Sequence, residues 1–373
     1  MDNILLSAAL SFLITFFAIP VIIQVAKDKK LFDEPDERKV HKVVIPTLGG
    51  LGIFAGFILG MLMGVPSNLS ADIQFFAAAS IVIFFLGIKD DILILSPSKK
   101  FLGQLIAAGI LIKFGGVQLT NMNGFLGIYE LPHIASIVLT LFTIVVITNS
   151  FNLIDGIDGL AGSLGFITTI VFGTYFYYIG ELSYAVTAFA LAGSIISFLI
   201  YNFSPAKIFM GDTGSLLIGL VNSILVIKFI SVAGSTQTSF PLTASPAIGF
   251  AILLVPLMDT LRVFGLRLLD RRSPFSPDRN HIHHFMLDLG MSHRRITIIC
   301  VFSNILFIAL AFALRNYDTT LVVAILLAVG YALTAVVYFL RQKTKTGRVE
   351  QKGTSLIKSH KMLSFASDPV EAD

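Results

Sequence analysis

Residues 133–179 read HIASIVLTLFTIVVITNSFNLIDGIDGLAGSLGFITTIVFGTYFYYI, two apolar segments joined by a polar stretch. Each apolar segment approaches the roughly 20 residues that a helix needs to cross a bilayer. Between them, Asn149, Asn152, Asp155 and Asp158 recur every three residues, so they fall roughly on one side of a helical turn. Capping the next helix would need one such side chain rather than four. Because carboxylates are costly to bury at a membrane boundary, the stretch predicts binding of a cation or a polar substrate.

The composition places most of the chain in lipid. Of its 373 residues, 55% are hydrophobic and only 13% are charged, and the mean hydropathy is +0.84. Soluble domains carry about 25% charged residues. The single cysteine, Cys300, excludes an intramolecular disulfide and a cysteine-based zinc site. The first apolar stretch, 3–26, is too long for the apolar region of a signal peptide and has no basic segment before it, so it predicts a retained membrane helix.

Apolar segments of this kind predict an all-α, polytopic integral membrane protein with about eleven transmembrane helices. Residues 1–340 form the predicted membrane-embedded domain. The tail, 341–373, is polar and mixed in charge, and it is predicted to be flexible. The predicted helices cover residues 3–26, 49–66, 72–89, 101–116, 133–151, 160–179, 182–201, 213–231, 246–266, 296–314 and 319–340.

The positive charges predict the orientation of these helices. If the N-terminus lies outside, the loops on the inner side carry 24 of the 27 lysines and arginines. Only Lys113, Lys228 and Arg315 fall elsewhere. This bias favours an N-out, C-in arrangement. All the polar motifs then lie on the cytoplasmic side, which predicts one shared active site on the cytoplasmic loops.

Two of these motifs precede the central stretch. The loop 27–48 carries Lys42 among several basic residues, which could anchor the helix end at anionic lipid headgroups or contact substrate phosphates. The next loop carries Asp90-Asp91 and then Lys100. Adjacent carboxylates repel each other, so at least one needs a cation partner or a raised pKa. A general base or a metal site would explain the pair, and an ordinary solvated loop is the alternative.

A third motif, YNFSPAKIFMGDTGS over 201–215, leads directly into an apolar helix. It contains Asn202 and Asp212. Glycines beside a carboxylate allow close backbone approach, and a helix N-terminus offers N–H groups to a phosphate. An acid beside such N–H groups would hold Mg²⁺ rather than the phosphate itself. The alternative is that Asp212 simply caps the helix.

The longest inner loop, 262–295, carries Arg279 followed by His281, His283 and His284. Three histidines could indicate zinc, but they are closely spaced and no cysteine accompanies them. With hard-metal carboxylates elsewhere, phosphate or sugar binding is the preferred interpretation. Taken together, carboxylates for a hard cation and basic groups for phosphates suit phosphoryl transfer, and many membrane helices suit a lipid co-substrate.

These motifs, in this order, resemble the polyprenyl-phosphate N-acetylhexosamine-1-phosphate transferases. That group includes the WecA- and TagO-like enzymes and the phospho-MurNAc-pentapeptide translocase. The resemblance rests on KVH and IPTLGG in the first loop, Asp90-Asp91 with Lys100, NSFNLIDGIDGL, FMGDTGS and DRNHIHH. The motifs extend from about residue 38 to residue 284. Single motifs are modest, whereas five in the family's order are specific.

The resemblance implies an enzyme that transfers a sugar 1-phosphate from a UDP-N-acetylhexosamine to polyprenyl phosphate and releases UMP. The HIHH form favours UDP-GlcNAc over UDP-MurNAc-pentapeptide or another UDP-amino sugar. The implied cofactor is Mg²⁺, with Mn²⁺ as the alternative. The partners would be the two substrates and membrane lipid, with no nucleic acid, and a homodimer is allowed. The implied location is the bacterial inner membrane, with the active site facing the cytoplasm.

The resemblance also implies roles for single residues. Asp90 and Asp91 would deprotonate or orient the lipid phosphate, and Lys100 would hold phosphate. Asp212 would bind the metal, with Asn152 as a second ligand. The implied substrate-binding residues are Asn149, Asp155 on the metal side, Asp158 near the uridine, Asn202, Lys42, and Arg279 with His281, His283 and His284 at the sugar and diphosphate.

Three other classes of protein remain alternatives. An ion-coupled transporter would place its carboxylates near the bilayer midplane, whereas these acids map to helix ends. A CDP-alcohol phosphotransferase would gather its acids in one continuous motif. A scaffold that only recruits lipid-linked sugars would not need the metal and base positions.

Overall fold

The computed structural model describes residues 1–29, 45–66, 72–235, 237–271 and 280–365, with side chains described as far as residue 344. These parts are almost entirely helical, which confirms the predicted all-α polytopic class. The elements are α1 (Asp2–Asp28), α2 (Gly49–Gly64), α3 (Ile73–Ile92), α4 (Pro97–Lys113), β1 (Asn121–Phe125), β2 (Ile128–Glu130), α5 (His133–Ile154), α6 (Leu160–Ile179), α7 (Leu182–Asn202), α8 (Gly211–Ala233), α9 (Ser245–Ile252), α10 (Leu254–Leu269), α11 (Ile282–Asp288), α12 (His293–Ala313) and α13 (Thr319–Phe365).

Each of the eleven predicted segments contains a helix, but they differ in length. Within the described residues, eight helices are long and apolar enough to cross a membrane, or nine if α9 and α10 form one span bent by 84°. The other two, α2 and α4, have 16 and 17 residues, shorter than the usual span of about 20. The count of eleven and the N-out, C-in orientation therefore stay predictions.

Helix α8 lies at the centre of the bundle, packed against α2, α3, α5 and α6, and it is buried along most of its length. Glycines allow its close crossings with neighbouring helices. A Cβ atom on Gly50 would lie 2.1 Å from the backbone nitrogen of Gly214, and a Cβ atom on Gly87 would lie 2.5 Å from Thr213 Cα. Such contacts between small residues bring helix backbones together in membrane proteins. The glycines therefore set the position of the N-terminus of α8.

A short antiparallel hairpin, β1–β2, lies at the opposite end of the bundle from the polar motifs and was not predicted. Asn123 joins it to the helices, since its side-chain amide donates to Ile230 O at 3.2 Å and to Ser245 Oγ at 2.8 Å. Asn123-Gly124, with positive φ at both residues, lies within β1 at the irregularity in its register. The turn of the hairpin is Leu126-Gly127, also with positive φ at both residues, as a two-residue type I′ turn requires. It was missed because the segment was treated only as a loop between two helices.

Two further features differ from the predicted boundaries. The short helix α11 lies within the inner loop that was predicted without secondary structure. Helix α13 continues past residue 340 to Phe365, so the predicted tail begins as a continuation of the last membrane helix. The flexibility of residues 341–373 stays a prediction.

Candidate active site

The polar motifs meet at one end of the bundle, where α3, α5 and α7 end and α4, α6 and α8 begin. Backbone hydrogen bonds tie two of the motif loops together: Phe209 N donates to Pro46 O at 2.7 Å, and Gly50 N donates to Met210 O at 2.8 Å. The segment at Pro46 thus aligns the residues that precede Asp212.

Lys100 joins two of the predicted carboxylates. Its ammonium lies 2.6 Å from Asp90 Oδ2 and 2.6 Å from Asp212 Oδ2. Asp90 also accepts a hydrogen bond from Leu95 N at 2.7 Å, which shapes the turn between α3 and α4. The Lys100, Asp90 and Asp212 side chains retain 27%, 10% and 23% of their exposure, so the trio remains accessible to a ligand. Lys100 is therefore the cation partner that the adjacent aspartates were predicted to need, and of the two aspartates it pairs with Asp90.

The neighbouring carboxylate, Asp91, accepts hydrogen bonds from the first turn of α8. It accepts hydrogen bonds from Asp212 N at 2.6 Å and from Thr213 N at 3.0 Å, and from Thr213 Oγ1 at 2.5 Å. A negative charge at a helix N-terminus satisfies free N–H groups and is favoured by the helix dipole. These two N–H groups, which were predicted to be available to a phosphate, are therefore occupied by Asp91. Gly211 (φ +70°) makes room, because a Cβ atom there would lie 2.7 Å from the Asp91 carboxylate.

Asn149 and Asn152 lie on the last turns of α5 and face the site, as their spacing predicted. Asn149 exchanges amide hydrogen bonds with Gln104 of α4, at 2.8 and 3.3 Å. Asn152 Nδ2 donates to Ser215 Oγ at 3.0 Å, in the first turn of α8. The Asn152 amide also donates a hydrogen bond to the Asp212 carboxylate, so the two predicted metal ligands lie side by side.

Asp155 and Asp158 follow the end of α5, so the predicted single-sided ladder ends before Asp158. Asp155 is half-buried, and within the described residues its carboxylate has no hydrogen-bond partner. Burial, reinforced by the nearby carboxylates of Asp212, Asp91 and Asp158, raises the pKa of Asp155 well above its usual range. A cation bound nearby would favour the ionised form of this group.

Asp158 links its own loop to two other segments. Its carboxylate lies 3.1 Å from His293 Nδ1 at the start of α12 and accepts from Ala206 N at 3.1 Å. Its carbonyl accepts from Thr297 Oγ1 at 3.0 Å. Gly159, at φ +74°, starts α6 directly afterwards. The side chain is 4% exposed, so the structure gives Asp158 an architectural role at this end of the bundle.

Asn202, predicted to bind substrate, is buried and bonded to the backbone. Its Oδ1 accepts from Gly159 N at 2.9 Å, and its Nδ2 donates to Ile208 O at 2.9 Å. It therefore holds the loop between α7 and α8 against the start of α6. A buried amide with both ends satisfied in this way supports the loop, and a direct contact of Asn202 with substrate stays a prediction.

The histidine segment is seated on α10 by residues that the sequence analysis missed. Asp259 Oδ2 lies 2.8 Å from His281 Nδ1, and Asp259 Oδ1 accepts from Ile282 N at 2.9 Å. Arg262 completes the group through a 2.9 Å hydrogen bond to Asp259 Oδ1 and a hydrogen bond to Asn280 O. An acid inside an apolar segment was the available signal, since such residues are rare in membrane helices and usually functional.

His283 packs against the central motif. A Cβ atom on Gly156 would lie 2.8 Å from His283 Nε2, so only glycine leaves room for the ring. Burial lowers the pKa of His283 to about 3, which keeps the imidazole neutral at physiological pH. Its ring lies near those of His281 and His284, with centroids 5.6 and 4.4 Å away. The three predicted histidines thus form one group beside the residues at 155–158.

A cavity opens beside Lys100, between α4, α5 and α10. Its walls combine the predicted site residues with apolar side chains and with Arg267 of α10, which is buried and was also missed. A pocket with polar groups at one end and apolar walls suits an amphipathic ligand. Its lining residues are Leu95, Pro97, Lys100, Phe101, Gln104, Asn149, Asn152, Leu153, Phe264 and Arg267.

The residues around Asp212 fit a hard divalent cation. The available ligands are carboxylate and amide oxygens, the types that Mg²⁺ prefers. Lys100 already places one positive charge between Asp90 and Asp212, which shows that these carboxylates can share a cation. Within the described residues, no group of three histidine, cysteine or acidic side chains forms a complete metal site. A metal here would take its remaining ligands from water or substrate phosphates.

Most of the predicted site residues therefore gather at one end of the bundle, in two groups. Asp90, Asp91, Lys100, Asn149, Asn152, Asp155 and Asp212 surround the start of α8, and Asp158, Asn202, His281, His283 and His284 support or line the adjoining histidine segment. Lys42 and Arg279 lie outside the described residues.

Comparison with known proteins gives a consistent set of relatives. The family model described as glycosyl transferase family 4 matches residues 73–230. A probable undecaprenyl-phosphate N-acetylglucosaminyl 1-phosphate transferase of Bacillus subtilis is 31% identical over 371 residues, covering 97% of this chain and 98% of that protein. The decaprenyl-phosphate N-acetylglucosaminephosphotransferase of Mycobacterium leprae is 33% identical, with 77% of each chain covered. An undecaprenyl-phosphate alpha-N-acetylglucosaminyl 1-phosphate transferase of Escherichia coli O157:H7 is 30% identical over 74% of each chain.

Proposed function

Since this chain belongs to glycosyl transferase family 4, we propose that it transfers N-acetylglucosamine 1-phosphate to a polyprenyl phosphate. The donor is UDP-GlcNAc, the second product is UMP, and the lipid-linked sugar begins the synthesis of a cell-surface polysaccharide. The relatives named above carry this activity in their names and match most of the chain. The predicted acids lie at helix ends, not at the middle of the spans, which disfavours the transporter alternative.

The observation that carries the proposal is the trio of Lys100, Asp90 and Asp212, of which Lys100 also lines the cavity. The two 2.6 Å contacts of the Lys100 ammonium hold it where it can also reach a phosphate oxygen. Arg267 lines the same cavity and adds a second positive charge. Apolar walls accept the first isoprene units of a lipid, while the cations hold its phosphate. This combination suits a polyprenyl phosphate better than a soluble acceptor.

The reaction is a displacement at phosphorus. An oxygen of the lipid phosphate attacks the phosphorus that bears the sugar, and the bond from that phosphorus to the bridging oxygen of UDP breaks. The electron pair of the broken bond leaves on UMP. Asp90, which lies beside Lys100, orients the lipid phosphate and accepts any proton it carries. Asp91 positions Asp212 and Thr213 through its three hydrogen bonds, so we assign it a positioning role.

Asp212 would bind Mg²⁺, with Asn152 as a second ligand. When bound, the metal neutralises the charge that develops on the diphosphate. Lys100 moves from the two carboxylates towards the phosphate oxygens as substrates enter. Asn149, held by Gln104, and Asp155 complete the oxygen-rich wall on the α5 side. His281, His283 and His284 lie where they can contact the sugar and diphosphate of the donor.

We also propose that this end of the bundle faces the cytoplasm of a bacterial cell. Charge placement in the loops supports that orientation, and cytoplasmic UDP-sugars then reach the site directly. The helices that qualify as spans make the protein multi-pass in the membrane.

The test is nucleotide release by the purified, full-length protein in lipid or detergent. Polyprenyl phosphate, Mg²⁺ and UDP-GlcNAc are supplied together, and each is then left out in turn. We expect UMP, with release dependent on both the lipid and the metal. UDP as the product would mean that the sugar leaves without its phosphate and would overturn the proposal. UMP release with UDP-MurNAc-pentapeptide but not with UDP-GlcNAc would reassign the donor.

A further inference from the structure

Asp259 is a buried carboxylate that none of the proposed catalytic steps uses. It lies on α10, within an otherwise apolar stretch, and its side chain is 4% exposed. Burying a charge there is costly unless every oxygen is paired. The structure supplies those partners. Two of them belong to the segment that carries the histidines, and the third, Arg262 of α10, is itself bonded to that segment.

The contacts of Asp259 are arranged around His281. One carboxylate oxygen lies 2.8 Å from His281 Nδ1. The other accepts from Ile282 N and from Arg262 Nη2, both at 2.9 Å. Arg262 also donates to Asn280 O and stacks over the Phe285 ring at 5.3 Å. The backbone on both sides of His281 is thus fixed to α10.

We propose that Asp259 is a positioning residue for the sugar-phosphate transfer, which acts by holding His281 in one tautomer and orientation. A carboxylate at Nδ1 requires that Nδ1 carry the proton, so Nε2 is the nitrogen that meets the donor substrate. The same arrangement of carboxylate and histidine fixes ring orientation in metal and hydrolase sites. The inference rests on the proposed function, because it assigns His281 to the UDP-GlcNAc side of that site.

The proposal predicts a selective kinetic effect. Removing the orienting carboxylate weakens the contact of His281 with the donor, so the KM for UDP-GlcNAc rises, while the KM for polyprenyl phosphate stays unchanged. Loss of an orienting partner typically costs about 10- to 100-fold. We therefore expect Asp259→Ala to lower kcat/KM for UDP-GlcNAc by about that factor.

A double-mutant cycle separates positioning from general support of the fold. The variants are Asp259→Ala, His281→Ala and the two combined, each assayed for UMP release with the full-length protein. If Asp259 acts through His281, the combined variant loses little more than His281→Ala alone. Independent, multiplying losses, or equal increases in KM for both substrates, would overturn the proposal. Asp259→Glu keeps a carboxylate acceptor for the Nδ1–H of His281 and should recover part of the activity lost in Asp259→Ala, even if the alanine variant folds poorly.

The matched control is Asp288→Ala. Asp288 lies at the other end of α11, where its ion pair with Arg341 (2.6 Å) ties that helix to α13. Losing this pair loosens α11 without touching His281. We expect kcat and both KM values to stay within about twofold of wild type, the range expected for an exposed pair. A loss like that of Asp259→Ala would show that any loosening of α11 produces the effect, and would overturn the inference.

A readout that does not need turnover distinguishes this inference from the proposed function. Nitrogen chemical shifts of ¹⁵N-histidine-labelled protein report the tautomer of each ring, and a His281→Gln sample assigns the His281 signals. We expect Nδ1–H in the wild type and a mixed or inverted tautomer in Asp259→Ala. An unchanged tautomer in that variant would overturn the positioning role. Absence of UMP release by wild type, with the tautomer shift present, would instead overturn the proposed function alone.

Discussion

The carboxylates near α8 and those near the histidines are bound in different ways. At α8, Lys100 bridges Asp90 and Asp212, and all three side chains keep part of their exposure. Near the histidines, Asp158 and Asp259 are 4% exposed, and protein N–H groups use both oxygens of Asp259. The first group can exchange one cation for another, whereas the second would leave a buried charge unpaired if it moved. We infer that the first group reacts and the second holds the site in shape.

The largest effect is expected at the reactive group. Asp212→Ala removes the proposed metal ligand and one of the two partners of Lys100, so UMP release should fall by about a thousandfold or more, the scale seen when an essential electrostatic group is lost. The melting temperature should stay near that of wild type, because the side chain is partly exposed. Activity retained at high Mg²⁺ would place the metal elsewhere.

The second prediction is that the adjacent residues Asp90 and Asp91 have different roles. Asp90→Asn should lower kcat by about 100-fold, at the lower end of losses for general acid–base groups, with little change in stability. Asp91→Asn should mainly lower stability, by about 1–2 kcal/mol, because an amide replaces the charged acceptor at the start of α8. Steady-state kinetics and thermal unfolding on both variants provide the measurement. If Asp91→Asn abolished turnover at an unchanged melting temperature, the division between reacting and positioning groups would be wrong.

The third prediction is a pH dependence of stability at His283. The folded protein holds this imidazole with a pKa of about 3, below the usual value of 6.5. Between these values the unfolded state binds a proton that the folded state does not, so stability falls as pH drops below 6.5. From pH 7 to pH 5 the loss from this one residue is about 2 kcal/mol.

His283→Gln tests this linkage, because it removes the titrating group while keeping a polar side chain of similar length. Thermal unfolding of both proteins between pH 5 and pH 7 should show a flatter pH dependence in the variant. Parallel curves would mean that His283 titrates normally in the folded protein.

The sequence predicted the helical class and the gathering of the motifs well, because both depend on local patterns. Apolar segments of membrane-spanning length can be recognised directly in the sequence. Polar residues at every second connection between such helices must lie on the same side of the membrane. Asn149, Asn152, Lys100 and Asp212 were placed in the site for that reason. The bend between α9 and α10 was not predicted because both halves are apolar. Pro256 was the available signal, since its ring excludes the helical hydrogen bond to Ile252, the last residue of α9.

What the sequence could not predict is how each acid is used. Asp90 and Asp91 are adjacent and chemically identical, and only the position of the α8 N-terminus assigns one to Lys100 and the other to backbone N–H groups. The roles of Asp259 and His293 depend in the same way on contacts between distant segments. Asp158 follows the spacing of the α5 ladder, yet the chain leaves the helix at Asp155 and turns its side chain to α12.

The glycine crossings at α8 limit how this protein can diverge. Gly50 meets Gly214, and Gly87 meets Thr213, at distances where even a methyl group collides with backbone atoms. No single replacement at Gly50 or Gly87 is sterically neutral, and a compensating change cannot shrink a backbone. Substitutions should therefore accumulate on the lipid-facing surfaces of α1 and α13, whereas selection should eliminate them at these crossings. Distant descendants should then keep the helix packing around the start of α8 while their outer surfaces change.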